Sequence, residues 1–119
     1  DRKYAESRAV TLHRRGMSAG RICGKLVQKG VDVEARQHAL AALAAETTAD
    51  PAGADPSRVD LAGAVNLARR RRLGPFRSPA DRPRMREKDL ATLARAGFGY
   101  HLAVQVIDAA CPDDLIKPP

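Results

Sequence analysis

The sequence predicts an all-α protein, an elongated tandem of two three-helix modules of helix-turn-helix type. Three observations carry that reading. The 119 residues are 44% hydrophobic yet contain no Trp, and aromatic rings occur only at Tyr4, Phe76, Phe98 and Tyr100. An apolar fraction built on Ala, Leu and Val suits closely packed helices, whereas a β-sandwich needs more β-branched and aromatic side chains. Apolar residues recur at helical spacing in short segments, most of them closed by a glycine. Finally, Lys25–Leu40 laid over Thr92–Ile107 at an offset of 67 matches Leu26 with Leu93, Gly30 with Gly97, Val31 with Phe98, Ala39 with Val106 and Leu40 with Ile107. A turn glycine, an apolar residue after it and the same inward positions in the next helix mark a repeated supersecondary unit.

The first helix runs through "AESRAVTLHRRG", with Ala5, Ala9, Val10 and Leu12 as its inward stripe and Gly16 at its end. Ser18 is placed to cap the second, "AGRICGKLVQKG". There Ile22, Cys23, Leu26 and Val27 share one face, and Gly30 takes the left-handed position after the last turn. Asp32 caps the third, "VEARQHALAALAAE", with Ala35, Ala39, Leu40 and Leu43 inward and Glu34 favouring its positive end. "TTADPAGADPS" has no helical period and reads as a linker. Asp60 opens a fourth helix, "LAGAVNLARRRR", whose stripe is Leu61, Ala64, Val65 and Ala68 and whose stop is Gly74-Pro75. "RSPADRP" is a second loop. A fifth helix spans Arg84 to Arg95 with Leu90, Leu93 and Ala94 inward, Gly97 ends it, and "YHLAVQVIDAA" forms the sixth before Pro112. The organisation expected is one module over 1–46, a linker over 47–59, a second module over 60–112 and a tail over 113–119.

The formal charge of +7 is unevenly spread. Residues 1–30 carry eight Lys/Arg against two acids, and residues 61–98 carry ten against three. Residues 31–60 and 99–119 are net acidic. Segregation of this kind suits an anionic or acidic partner for the basic segments. Arg21, Lys25 and Lys29 recur every four residues and form one cationic stripe opposite the Ile22/Leu26 face. Arg14 and Arg15 precede it. In the second half the run Arg69, Arg70, Arg71, Arg72 is followed by Arg84, Arg86 and Lys88. Successive helical residues turn by about 100°, so the four arginines of the run fan around the helix rather than facing one plane. Their place in a last turn also suits the negative end of the helix dipole. These twelve residues are the candidate partner- or DNA-binding face.

A sequence-reading helix-turn-helix is disfavoured, because the third helix carries Glu34 and Glu46 with Arg36 its one cation, and base recognition wants Arg, Asn, Gln or Lys near that helix start. Binding to a DNA backbone stays open. His13, His38 and His101 have no neighbours at metal-ligand spacing and read as surface or boundary residues. Cys23 reads as core and Cys111 as a helix-end thiol without a local base. "GFG" at Gly97 is a turn without the strand and GK[ST] of a phosphate loop. The acids lie scattered over helix starts and loops. The residues therefore predict no catalysis, no metal and no cofactor. Two unpaired cysteines, no signal peptide and no apolar run of about 18 residues predict a cytoplasmic protein away from membranes.

Several stretches resemble the RecX family of bacterial recombination regulators, whose members are built of tandem three-helix modules. "DRKYAES" is similar to the opening of that family's middle module, and "RRGMSAGRICGKLVQKGVDVE" to its Gly-rich turn, basic second helix and "KGVD" junction. "LARRRRLGPF" resembles the first helix of the last module, and "LARAGFGYHLAVQVID" its closing helix pair. By this resemblance the chain begins inside the second module and lacks the first, its 47–57 linker is longer and richer in Pro and Ala, and Gly99 stands where a Ser or Asp cap is usual. The resemblance implies a protein that binds the RecA recombinase on DNA, lies in the groove of the nucleoprotein filament, and restrains strand exchange and coprotease activity; a monomer is the expected form. A chain of small modules can touch several subunits and gain by multivalency. Two other readings use the same residues: a non-specific nucleic-acid binder, with strong salt dependence and no preference for recombinase-coated DNA, and a purely structural helical repeat.

Overall fold

A helix leaves its last four carbonyls without intrahelical partners, and four of the helix ends in this chain solve that problem in one way. In the computed structural model, which describes residues 2–46 and 56–111, the helices are α1 (Arg2–Arg14), α2 (Ala19–Gln28), α3 (Val33–Glu46), α4 (Pro56–Arg71), α5 (Arg82–Arg95) and α6 (Tyr100–Ile107), with a 3-10 turn at Gly74–Phe76. No strand occurs among the described residues. After α1, α2, α4 and α5 the chain turns left-handed for one residue, and the next N–H donates back over the last turn. The bonds run from Met17 to Leu12 O (3.2 Å), Val31 to Leu26 O (3.0 Å), Leu73 to Ala68 O (2.8 Å) and Phe98 to Leu93 O (3.2 Å). In each pair the returning side chain packs in the same apolar cluster as the residue that accepts, which directs the following helix back onto its predecessor.

Three of the four left-handed positions are glycines: Gly16 (φ 93°), Gly30 (φ 77°) and Gly97 (φ 101°). At Gly16 a side chain is also excluded by packing, since a Cβ would lie 2.7 Å from Leu67 Cα. The fourth position is Arg72, at φ 56°, the one non-glycine with positive φ among the described residues. That conformation costs an L-residue roughly 1–2 kcal/mol, while attraction to the helix dipole returns only about 0.3–1 kcal/mol, a role three preceding arginines already share. Arg72→Gly is therefore expected to stabilise the fold by about 1 kcal/mol, raising Tm by about 3–6 °C in a melting experiment. An unchanged or lower Tm would show that the Arg72 side chain holds this turn.

The apolar side chains form two clusters. Ala5, Ala9, Leu12, Ile22, Leu26, Val31, Ala35, Ala39 and Leu43 of α1–α3 close one, with Val59 of α4 completing it. Ala64, Val65, Leu67, Ala68, Leu73, Leu90, Leu93, Phe98, Ala103, Val106 and Ile107 form the other. The two are joined by polar contacts between distant segments. His13 is buried, and its Nε2 lies 2.7 Å from Val59 O. Asn66 Nδ2 donates to His13 O at 3.2 Å, and Ala19 N–H to Asp60 Oδ1 at 2.8 Å. The principal extents, 47 × 30 × 20 Å, give the elongated form expected of a helical tandem.

Several boundaries and faces depart from the sequence expectation. The fourth helix begins at Pro56 rather than after Asp60. Asp60 is not its cap but joins Ser18, whose Oγ accepts from Arg21 N–H at 3.2 Å, in capping α2. The fifth begins at Arg82, where Pro83 occupies a first-turn position that needs no N–H donor, and the sixth ends at Ile107 rather than Ala110. Arg82 explains that stop: its Nη2 donates to Ile107 O (2.9 Å) and Ala109 O, fastening the carbonyl end of α6. Val27 and Ala94, expected inward, are exposed, Cys23, expected in the core, is half-buried, and His13, expected at the surface or boundary, is buried. Residues 47–55 of the expected linker and the tail 113–119 lie outside the described residues.

Candidate partner-binding surface

Charge counting groups twelve cations, and the structure separates them by what they already touch. Arg84 Nη2 is held by Asp81 Oδ1 at 2.7 Å. Arg86 makes a fork-to-fork pair with Asp108, 2.9 Å on both arms, and lies 3.9 Å from Glu87. That pairing raises the Arg86 guanidinium above its ordinary value and lowers the Asp108 carboxyl below its own, in each case chiefly through the hydrogen bond between them. Because the Asp108 value is depressed in the folded state, the pair's support is present at neutral pH and fades as acid titrates that carboxylate. Both residues are solvent-accessible and screened, so this support is small. Arg84 and Arg86 thus belong to a self-neutralised edge of α5.

The other ten are different. Arg14, Arg15, Arg21, Lys25, Lys29, Arg69, Arg70, Arg71, Arg72 and Lys88 are all exposed, and their side chains have no hydrogen bond or ion pair among the described residues. Gly16, directly after Arg14 and Arg15, packs on Leu67, two residues before Arg69, so the end of α1 abuts α4 just ahead of the arginine run. On α2 the glycines Gly20 and Gly24 have open space around them, leaving Arg21 and Lys25 beside a bare strip of helix. A shallow groove of about 560 Å³ lies there, lined by Ser18, Gly20, Arg21, Gly24, Lys25 and Gln28 and closed at one side by Gly97.

A second groove, about 630 Å³, runs between the end of α4 and α5. It brings Arg71 and Lys88 together with Arg95, which the sequence reading left outside the candidate face. The wall is set by a buried carboxylate. Asp89, 1% exposed, accepts from Arg77 Nε (2.8 Å) and Nη2 (2.9 Å) and from Gly74 N–H (2.9 Å). The hydrogen bond to Asp89 is the main cause of the raised Arg77 value. One acid thereby fastens the turn that follows the arginine run to the helix carrying Lys88 and Arg95. The signal for it was in the repeat: at the offset of 67, Asp89 falls on Ile22, an inward position where a carboxylate must find a cation.

Among the described residues, no three His, Cys, Asp or Glu side chains come together to hold a metal ion, and no helix is long and apolar enough to cross a membrane. His38 pairs with Glu6 on the surface of α1 and α3. Fold and surface together define an all-helical protein with ten exposed cations whose side chains have no hydrogen bond or ion pair among the described residues.

Comparison with known proteins narrows that class. The chain is 39% identical over 110 residues to the regulatory protein RecX of Myxococcus xanthus, covering 92% of the chain and 53% of that protein. It is 34% identical over 107 residues to the regulatory protein RecX of Agrobacterium fabrum, covering 90% of the chain and 50% of that protein. The chain belongs to the RecX family of regulatory proteins. It spans about half the length of these curated relatives. No family model and no solved structure matches it.

Proposed function

We propose that the chain binds RecA–DNA filaments in the bacterial cytoplasm, as a monomer, and restrains recombinase activity in DNA repair and recombination. The observation that carries this reading is the set of ten exposed cations without side-chain partners among the described residues, on an elongated helical tandem of the RecX family. Cations held in solvent with no internal counter-ion contribute little to folding and keep their full charge for an external surface. The anionic surfaces of a nucleoprotein filament, phosphate and carboxylate alike, suit them, and an elongated chain can meet more than one repeat of such a filament. No side chain in this account performs chemistry; the effect comes from occupying the filament.

A strand-exchange reaction tests the proposal. Added to preformed filaments on single-stranded DNA, the chain is expected to lower the yield of joint molecules and the rate of coprotease cleavage over the same concentration range. Unchanged strand exchange and cleavage, at concentrations where the chain is shown to coat the filament, would refute the restraining role.

A further inference from the structure

The two grooves described above are one site, built twice. At the offset of 67, six of the seven residues lining the α2 groove fall on residues lining the α5 groove. Arg21 corresponds to Lys88, so each groove carries a cation at the same place. Gly24 corresponds to Ala91, so the position one helical turn on is small in both. The second cation moves along the helix, from Lys25 in the first groove to Arg95, two turns beyond Lys88, in the second, where Lys25 and Gln28 correspond to Thr92 and Arg95. The opposite walls are unrelated: the Gly97 turn in one, the Arg71 end of α4 in the other. What the repeat preserves is the helix face that an incoming partner would touch.

We infer that these faces are paired docking sites for an acidic polypeptide segment that the partner presents in two copies. The inference rests on the filament reading above and names what each module grips. A phosphodiester strand needs cations but no uncovered strip between them; here each cation pair flanks a small residue that leaves the helix surface bare, as the body of a peptide segment requires. The α2 groove has no carboxylate in its lining. In the α5 groove Asp89 is neutralised by Arg77, and Glu87, 91% exposed, stands out at the rim beside Arg86. Each groove is thus net positive and complementary to carboxylates.

The test fills the strip without touching charge. Nothing lies within 4 Å of a Cβ added at Gly24, and the residue sits inside a helix, so Gly24→Leu keeps the fold and raises Tm by a few degrees. Ala91→Leu fills the second groove, where Ala91 is exposed, and keeps the fold with Tm about unchanged, since Leu is nearly as good a helix former as Ala. Pelleting with RecA filaments on single-stranded DNA is measured beside binding to the bare DNA at equal salt. Each single variant is expected to weaken filament binding about tenfold, the double variant about a hundredfold, with binding to bare DNA unchanged. Wild-type filament affinity in the double variant would overturn the inference while leaving the filament reading intact, because the cations would then act as charge alone. Loss in one single variant only would overturn the two-copy claim. A wild-type chain that does not pellet with filaments would overturn the filament reading and this inference together.

Discussion

Asp89→Ala is expected to cost about 3–5 kcal/mol of folding stability, the largest single effect on this fold. The carboxylate is 1% exposed and receives three hydrogen bonds, two from Arg77 and one from Gly74 N–H. Removing it leaves a partly buried guanidinium and a buried backbone donor without acceptors, and both carry desolvation penalties. A loss of this size is a large share of the roughly 5–15 kcal/mol that holds a typical domain together. Urea unfolding is expected to show a much lower midpoint with an unchanged slope. Arg77→Met added to Asp89→Ala is expected to recover part of the loss, because it removes the orphaned charge. A midpoint within about 1 kcal/mol of wild type in Asp89→Ala would mean that the Gly74–Arg77 turn is held by its apolar contacts alone.

The second large effect is on binding. Lys25→Glu, Lys29→Glu and Arg70→Glu combined are expected to weaken filament association by about 3 kcal/mol, a factor of about 100, with little change in Tm. All three side chains are exposed and without partners among the described residues, so reversal removes no internal contact. Arg84→Glu with Arg86→Glu makes the contrasting variant. Those arginines sit on Asp81 and Asp108, and their reversal is expected to lower Tm while affecting filament binding far less.

What could be read from the sequence divides along a physical line. Local chemistry was legible. Ser18 and Asp32 cap the helices they precede, with Asp32 Oδ1 accepting from Ala35 N–H at 2.8 Å, and Gly16, Gly30 and Gly97 close the turns where they stand. The central inward positions follow too, Ile22 and Leu26 in α2 and Leu90 and Leu93 in α5, because helical spacing acts within a few residues, whereas Cys23, Val27 and Ala94 at the edges of those stripes are not buried. Contacts across the chain were not legible. His13 looked like a surface residue because its partners, Val59 O and Asn66, lie 46 and 53 residues away. Asp60 looked like the start of a helix because the α2 terminus it caps is 41 residues distant. The candidate face suffered in the same way. Net charge cannot distinguish Arg86, engaged by Asp108 from 22 residues away, from Lys88 two positions on with no partner among the described residues. Nor could it gather Arg71, Lys88 and Arg95 around one groove, since the buried Asp89 that aligns their elements reads in isolation as one more surface acid.

Co-sedimentation with RecA filaments, assembled on single-stranded DNA with a slowly hydrolysed nucleotide, tests the central claim most directly, with bare DNA at the same salt as reference. The wild-type chain is expected to pellet preferentially with the filament, and the Lys25/Lys29/Arg70 charge-reversed variant is expected to stay in solution. Equal recovery on bare DNA and on filaments, or pelleting of the charge-reversed variant like the wild type, would contradict it.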